Sequence, residues 1–514
     1  MEEQKNAAIE LRNITKTFGK VVANKDISLR VNRGEILSIL GENGSGKTTL
    51  MNMISGIYFP DEGQIFIDGR EAVIASPKDA FDYKIGMIHQ HFKLVDVFSA
   101  TENIVLGFEE EGGYNIRRSA ERILAISEQY GFHLDPMKKV YEMSVSEKQM
   151  VEIVKVLYRG ADILILDEPT AVLTPQETRN LFDILRRMRE DGKAIVIITH
   201  KLHEVLSLSD RVAVLRKGEY IGTVETAKTN EAQLTEMMVG KKVSLNIERS
   251  EPENPKERLV VRNVNCMDRN GVQILKNVSF EARSGEILGI AGIAGSGQRE
   301  LLEAIAGLQA LQSGEILYYD PKSGEESNLR DKTPLQIRDM GVRLSFVPED
   351  RLGMGLVGNM DITDNMMLRS YRSGKSVFVK RKPPKDLAER IIEQLDVVTP
   401  SVNTPVRRLS GGNVQKVLVG REIAASPTVL MAAYPVRGLD INSSYLIYNL
   451  LNQQKKAGVA VIFVGEDLDV LLELCDRIMV IGSGKITGMV DGRTATKEQI
   501  GLLMTKTDGG ETHE

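Results

Sequence analysis

The chain has 514 residues, 42% of them hydrophobic and 27% charged, with a formal net charge of −5. That length exceeds one ordinary hydrophobic core, the composition is that of a globular chain rather than a disordered one, and the acidic excess gives no general attraction to nucleic acid. No apolar run approaches the roughly 18 residues needed to cross a bilayer, and the opening Met-Glu-Glu-Gln-Lys-Asn lacks the parts of a signal peptide, so a cytosolic chain is expected. Two cysteines, Cys266 and Cys475, are too few for a metal cluster or a disulfide framework and read as small core residues.

In chain order, an apolar strand over Glu35 to Leu40 feeds the glycine loop Gly41-Glu-Asn43-Gly44-Ser45-Gly46-Lys47-Thr48-Thr49, and helical periodicity starts at Lys47. Gln90, within Ile88-His-Gln-His91, closes another strand. His89 and His91 have no cysteine or carboxylate at metal-ligand spacing, which argues against zinc. Helical patterns over Arg117 to Tyr130 and Ser146 to Arg159 predict a helical subdomain inserted into the core. Buried strands are expected at Ile163 to Leu166 and Ala194 to Thr199. The polar, proline-bearing stretch Lys241 to Glu257 reads as a linker. Beyond it the order repeats, with strands at Glu286 to Ala291, Thr428 to Ala432 and Val459 to Gly465 and a second glycine loop at Gly292-Ile-Ala-Gly-Ser-Gly297-Gln298-Arg299. One α/β fold with a largely parallel sheet is used twice, over 1–240 and 258–505, with the linker at 241–257 and a polar tail at 506–514.

The first half holds a complete phosphate site. Its glycines let backbone N–H groups converge at a helix start, Lys47 adds a charge for the β- and γ-phosphates, and Thr48 with Asp167 supplies Mg²⁺ ligands. Glu168, directly after Asp167, is placed to orient or deprotonate a water, and His200 follows a strand that reaches the same sheet edge. The amide of Gln90 can join the metal or water shell.

The order glycine loop, Gln90, Ser144-Val-Ser-Glu-Lys148, Asp167-Glu168-Pro-Thr170 and His200 resembles the ATPase domain of ABC transporters, twice over. In detail the chain is similar to the fused double ATPase subunit of bacterial simple-sugar and nucleoside importers. Gly86-Met-Ile-His-Gln-His-Phe-Lys-Leu-Val, Val347-Pro-Glu-Asp-Arg-Leu-Gly-Met-Gly-Leu356 and Arg437-Gly-Leu-Asp440 favour the nucleoside branch. The resemblance implies a parallel sheet core, a helical subdomain and a small antiparallel β part in each domain. It also implies ATP and Mg²⁺, with Phe18 stacking on adenine. Separate permease subunits, a solute-binding protein outside the cell reached only through them, and a place on the cytoplasmic face of the membrane follow as well. In that family the two domains pair head to tail, here within one chain, so the intact signature Leu409-Ser410-Gly411-Gly412-Asn413 and Asp440 complete the site built on Lys47. No nucleic-acid partner is expected: a double ATPase acting on ribosomes or nucleic acid usually has two intact sites and a basic interdomain helix.

The second glycine loop departs from the pattern. Gln298 replaces the lysine, Arg299 the hydroxyl, Ala433 the metal aspartate and Tyr434 the catalytic glutamate, while Glu349 and Glu466 stand where Gln90 and His200 stand. The first half offers Ser146 for a signature glycine and Leu173-Thr174 for Leu439-Asp440. No hydrolysis is expected at this second site; binding of nucleotide without hydrolysis and no binding both stay open, since the glycine loop still presents backbone donors and Arg299 can partly replace the missing charge, while the two glutamates repel phosphate.

Overall fold

The computed structural model describes residues 6–89, 92–108, 115–171, 173–240, 247, 249–268, 271–293, 295–371 and 379–506. It divides into two compact units, Met1–Ser244 and Leu245–Glu514.

Unit 1 contains strands β1 (Ala7–Phe18), β2 (Val21–Asn32), β3 (Ile36–Leu40), β4 (Glu62–Ile67), β5 (Arg70–Ala72), β6 (Ile85–Ile88), β7 (Ile163–Asp167), β8 (Ala194–Thr199), β9 (Arg211–Arg216) and β10 (Glu219–Glu225). A six-stranded sheet has the order β10-β9-β3-β8-β7-β6, parallel except for the β9–β10 edge. A four-stranded sheet, β2-β1-β4-β5, is antiparallel. Every residue of β3, β7 and β8 is buried, as expected of parallel strands covered on both faces. Alternation along them builds two cores. Leu37, Ile39, Ile165 and Val196 pack with the antiparallel sheet and with the helix Lys47–Ile54. Ile36, Leu164, Leu166, Ile195 and Ile197 pack on the other face against the helices Ala100–Val105, Ile116–Tyr130, Val145–Tyr158 and Pro175–Glu190.

Unit 2 repeats the plan with β11 (Glu257–Met267), β12 (Gln273–Arg283), β13 (Ile287–Ala291), β14 (Ser313–Tyr319), β15 (Glu326–Asn328), β16 (Leu344–Val347), β17 (Val429–Ala433), β18 (Ala460–Val464), β19 (Arg477–Gly482) and β20 (Lys485–Asp491). Its sheets run β16-β17-β18-β13-β19-β20 and β12-β11-β14-β15. Cys266 and Cys475 are both buried in this unit and unpaired.

Residues just before β11 are pinned to unit 2. Ile247 joins its core, and Arg249 donates to the carbonyls of Leu472 and Cys475. The Ser250 carbonyl accepts from Lys455 Nζ at 2.6 Å, and that ammonium, 1% exposed, also contacts Asp476 at 2.7 Å. A buried ammonium needs such partners, because unpaired burial of a charge costs several kcal/mol.

Candidate functional site

In an open parallel sheet the carboxyl ends of the strands form a binding edge. β3, β8, β7 and β6 are parallel neighbours, so the loop after Leu40, His200 after β8, and Asp167 with Glu168 at the end of β7 all lie along one edge. Gln90 follows β6 and lies outside the described residues.

The glycine loop has no room for side chains where it turns. A Cβ on Gly41 would meet the Leu215 carbonyl at 2.3 Å, and one on Gly46 the Ala23 carbonyl at 2.4 Å. Gly46, at φ 94°, caps the helix Lys47–Ile54 without any side-chain acceptor. The first N–H groups of a helix have no partner within it, so here they are left for a ligand. Asn43 and Gly44 are exposed in the loop, while Ser45 is buried and its Oγ has no hydrogen-bond partner, an orphan that a phosphate oxygen would satisfy.

Lys47 is 6% exposed and bends back over the loop, donating to the carbonyls of Gly41 at 2.7 Å and Glu42 at 2.9 Å. Burial pushes its pKa down, opposed by the charges of Glu168, Asp167 and Glu42. Thr48 Oγ1 faces Asp167 Oδ2 at 3.4 Å, and Thr49 follows one position further along the helix. Burial first, and then the neighbouring Glu168 charge, hold the Asp167 carboxyl above its usual range. A hydroxyl and a carboxylate are oxygen donors of the kind Mg²⁺ takes, completed by phosphate and water, so the residues fit that ion. Among the described residues there is no group of three or more histidine, cysteine and carboxylate side chains able to hold a metal on its own.

Glu168 sits at φ 46°, a left-handed conformation rare for a residue with a side chain. Its N–H is anchored on the Ile198 carbonyl at 2.9 Å, and its Oε1 lies 2.7 Å from His200 Nδ1. Burial raises its pKa, but the His200 contact, with the charges of His200, Lys47 and Lys201, outweighs burial and leaves the carboxyl below its usual value. The Glu168 group is therefore a carboxylate held by an imidazole at the sheet edge, able to orient a water or take its proton.

Phe18 ends β1 and is 44% exposed. Tyr58 meets it edge-on at 5.2 Å between centroids, and Lys16 Nζ stands 5.6 Å from its ring. Asp61, drawn down to about 2 by its bonds to Lys16 and Thr17, fixes the strand just before Phe18.

Sequence reasoning missed Tyr58 and a network behind the site. Thr170 Oγ1 contacts both Glu204 oxygens, at 2.7 and 2.6 Å, and Lys201 Nζ joins Glu204 at 3.0 Å. This ties the loop after β7 to the helix Leu202–Leu208. The available signal was the Lys201–Glu204 spacing, which sets the residue that starts the helix three positions before Glu204 in its first turn.

In unit 2 the frame persists and the chemistry changes. Tyr434 has the same left-handed backbone, φ 48°, anchored on the Val464 carbonyl at 2.9 Å, and burial pushes its phenol up to about 12. Gln298 is 2% exposed and bends back as Lys47 does, donating to the Ile293 carbonyl at 3.1 Å, but it brings no charge. Arg299 is engaged by Glu303 at 2.6 Å. Glu349 and Glu466 are not bare carboxylates, because Arg437 contacts both, which weakens the repulsion of phosphate expected from them. Ser410 caps the helix Gly411–Ala424, its Oγ accepting from Asn413 Nδ2 at 2.9 Å, with Gly411 exposed and Gly412 half-buried beside it. Asp440 caps the helix Ile441–Lys456 through bonds of 2.8 and 2.7 Å from Ser443.

The model of the ABC transporter family matches residues 24–171 and 275–435. The nucleoside import ATP-binding protein NupA of Lactococcus lactis subsp. cremoris is 40% identical to this chain, over 98% of this chain and 99% of its own length. The guanosine import ATP-binding protein NupO of Bacillus subtilis is 41% identical, over 96% of this chain and 97% of its own length. The glucose import ATP-binding protein TsgD13 of Haloferax volcanii is 39% identical, over 97% and 95% respectively. The chain belongs to the ABC transporter family, as an ATPase subunit with two ATP-binding-type units.

Proposed function

We propose that this protein drives import of a nucleoside through separate membrane permease subunits by hydrolysing ATP at the glycine loop of unit 1. The observation that carries the reading is the convergence of Lys47, Thr48, Asp167, Glu168 and His200 on one sheet edge, with Gln298, Arg299, Ala433, Tyr434 and Glu466 at the matching positions of unit 2. Asn43, Gly44, Ser45, Gly46, Lys47 and Thr49 cradle the phosphates, and Phe18 with Tyr58 receives the adenine. Thr48, Asp167 and Gln90 are the residues to hold Mg²⁺, which supplies neutralisation of the charge on the β- and γ-phosphate oxygens. Glu168 positions the attacking water and accepts its proton, and His200 fixes the Glu168 carboxylate. Ser410, Gly411, Gly412 and Asp440 of unit 2 serve the same nucleotide, as the family resemblance implies.

The relatives named for nucleoside and guanosine import support the nucleoside reading, and the one named for glucose import supports a sugar as the second. The relatives' names as import ATP-binding proteins support permease subunits that hold this chain at the cytoplasmic face, with a solute-binding protein acting on their far side; among the described residues no helix is long and apolar enough to cross a membrane. Uptake into vesicles carrying the permease subunits and this chain tests the reading. ATP-dependent accumulation of guanosine is expected; accumulation of glucose or ribose with none of any nucleoside would overturn it.

A further inference from the structure

Unit 2 carries two arginines for which unit 1 has no counterpart. Arg351 stands two residues past Glu349, where unit 1 has Phe92 two residues past Gln90; Arg437 stands three residues past Tyr434, where unit 1 has Ala171 three past Glu168. Arg437 donates through Nη1 to Glu349, after β16, and its Nε lies 3.3 Å from Glu466, after β18. Its guanidinium carbon stands 5.9 Å from the ring centre of Tyr434, after β17. One side chain thus gathers the ends of three neighbouring strands.

Arg351 extends the connection to the signature. Its Nη1 donates to the Gly411 carbonyl at 3.2 Å and its Nη2 to the Arg437 carbonyl. A Cβ on Gly411 would come within 3.3 Å of Arg351 Nη1. No carboxylate is ion-paired with Arg351 among the described residues, and burial together with the nearby Arg437 charge works against its own charge. A half-buried guanidinium spent on two main-chain carbonyls is suited to fixing geometry, because its planar fork holds both at once.

In unit 1 the matching strand ends carry Asp167, Glu168 and His200, groups that the proposed function gathers around a nucleotide and its metal. We propose that in unit 2 Arg351 and Arg437 do this gathering themselves, as positioning residues that hold the signature loop Leu409–Asn413 against its own strand ends with no nucleotide needed at the second glycine loop. The inference rests on the reading that this signature serves ATP hydrolysis.

The test uses the full chain with its permease subunits and measures kcat and KM for ATP together with ADP affinity. Arg351→Ala and Arg437→Ala are expected to lower kcat/KM by about tenfold to a hundredfold, the scale on which small misplacement acts. ADP affinity, set at the first glycine loop, is expected to stay at the wild-type value. Arg351→Lys is expected not to restore the rate, because one ammonium does not span two carbonyls. Ser410→Ala is the reference. Wild-type kcat/KM in both arginine variants, with Ser410→Ala impaired, would overturn this inference alone. Wild-type rates in all three would overturn the reading beneath it. Loss of ADP affinity in Arg351→Ala and Arg351→Lys would also overturn the inference, since a displaced signature leaves the first loop intact.

Discussion

Lys47 and Gln298 occupy the same turn of the same helix in the two units, and each bends back to carbonyls of the loop before it. The backbone cradle is common to both; the charge that phosphate requires is not. At Glu168 the distinction is sharper, because Tyr434 keeps its left-handed backbone and its anchor while losing the carboxylate. Glu168→Gln is expected to cut kcat by roughly 10²- to 10⁴-fold while ATP still binds, which single-turnover and equilibrium binding measurements separate. Asp167 gives a second expectation. Its folded-state pKa lies above the ordinary 3.8, so its charged form costs stability above that value and the cost vanishes at lower pH, where the group is protonated in both states. Asp167→Asn should therefore raise the thermal midpoint of the nucleotide-free protein at neutral pH, with little change near pH 3, and abolish Mg²⁺-dependent hydrolysis.

The loops between elements carry what the strands only deliver. Gly46 combines φ 94° with a Cβ position 2.4 Å from a backbone oxygen, so Gly46→Ala strains the turn that aims the helix Lys47–Ile54. Behind the site, Thr170 satisfies the Glu204 carboxylate, 6% exposed, together with Lys201. Thr170→Val is expected to lower the unfolding free energy by about 1–3 kcal/mol in urea titrations, because it removes a donor from a buried carboxylate. The buried strands were legible in the sequence because each is an unbroken apolar run, and their observed ends, Asp167 and Thr199, fall within a residue or two of the expected ones. The residues at those ends were legible because chemistry fixes their type and spacing. Thr170 with Glu204, and Phe18 with Tyr58, were not, since both pairs meet only through the tertiary fold and neither has a local pattern. Arg437 was visible in the sequence only as part of a motif; its bridge between Glu349 and Glu466 needed three strand ends brought side by side.

At the scale of the whole molecule, duplication has kept a topology and divided its chemistry. Both units repeat the same sheet orders with fully buried central strands, so the change from Lys47, Asp167 and Glu168 to Gln298, Ala433 and Tyr434 is not a loss of fold. Nucleotide should therefore protect the two loops unequally. At ADP concentrations about 100-fold above Kd, a site gains roughly 2.7 kcal/mol against opening. Hydrogen exchange is expected to slow in the glycine loop and first turn at 41–49 and to stay unchanged at 292–299. The central claim, that hydrolysis belongs to the first glycine loop, is tested most directly by placing the same replacement at both helix starts and measuring kcat/KM for ATP. Lys47→Met should lose about 10²- to 10³-fold, the scale for one charge-stabilising group, while Gln298→Met keeps the wild-type value. Equal losses in the two variants, or a loss confined to Gln298→Met, would contradict the account.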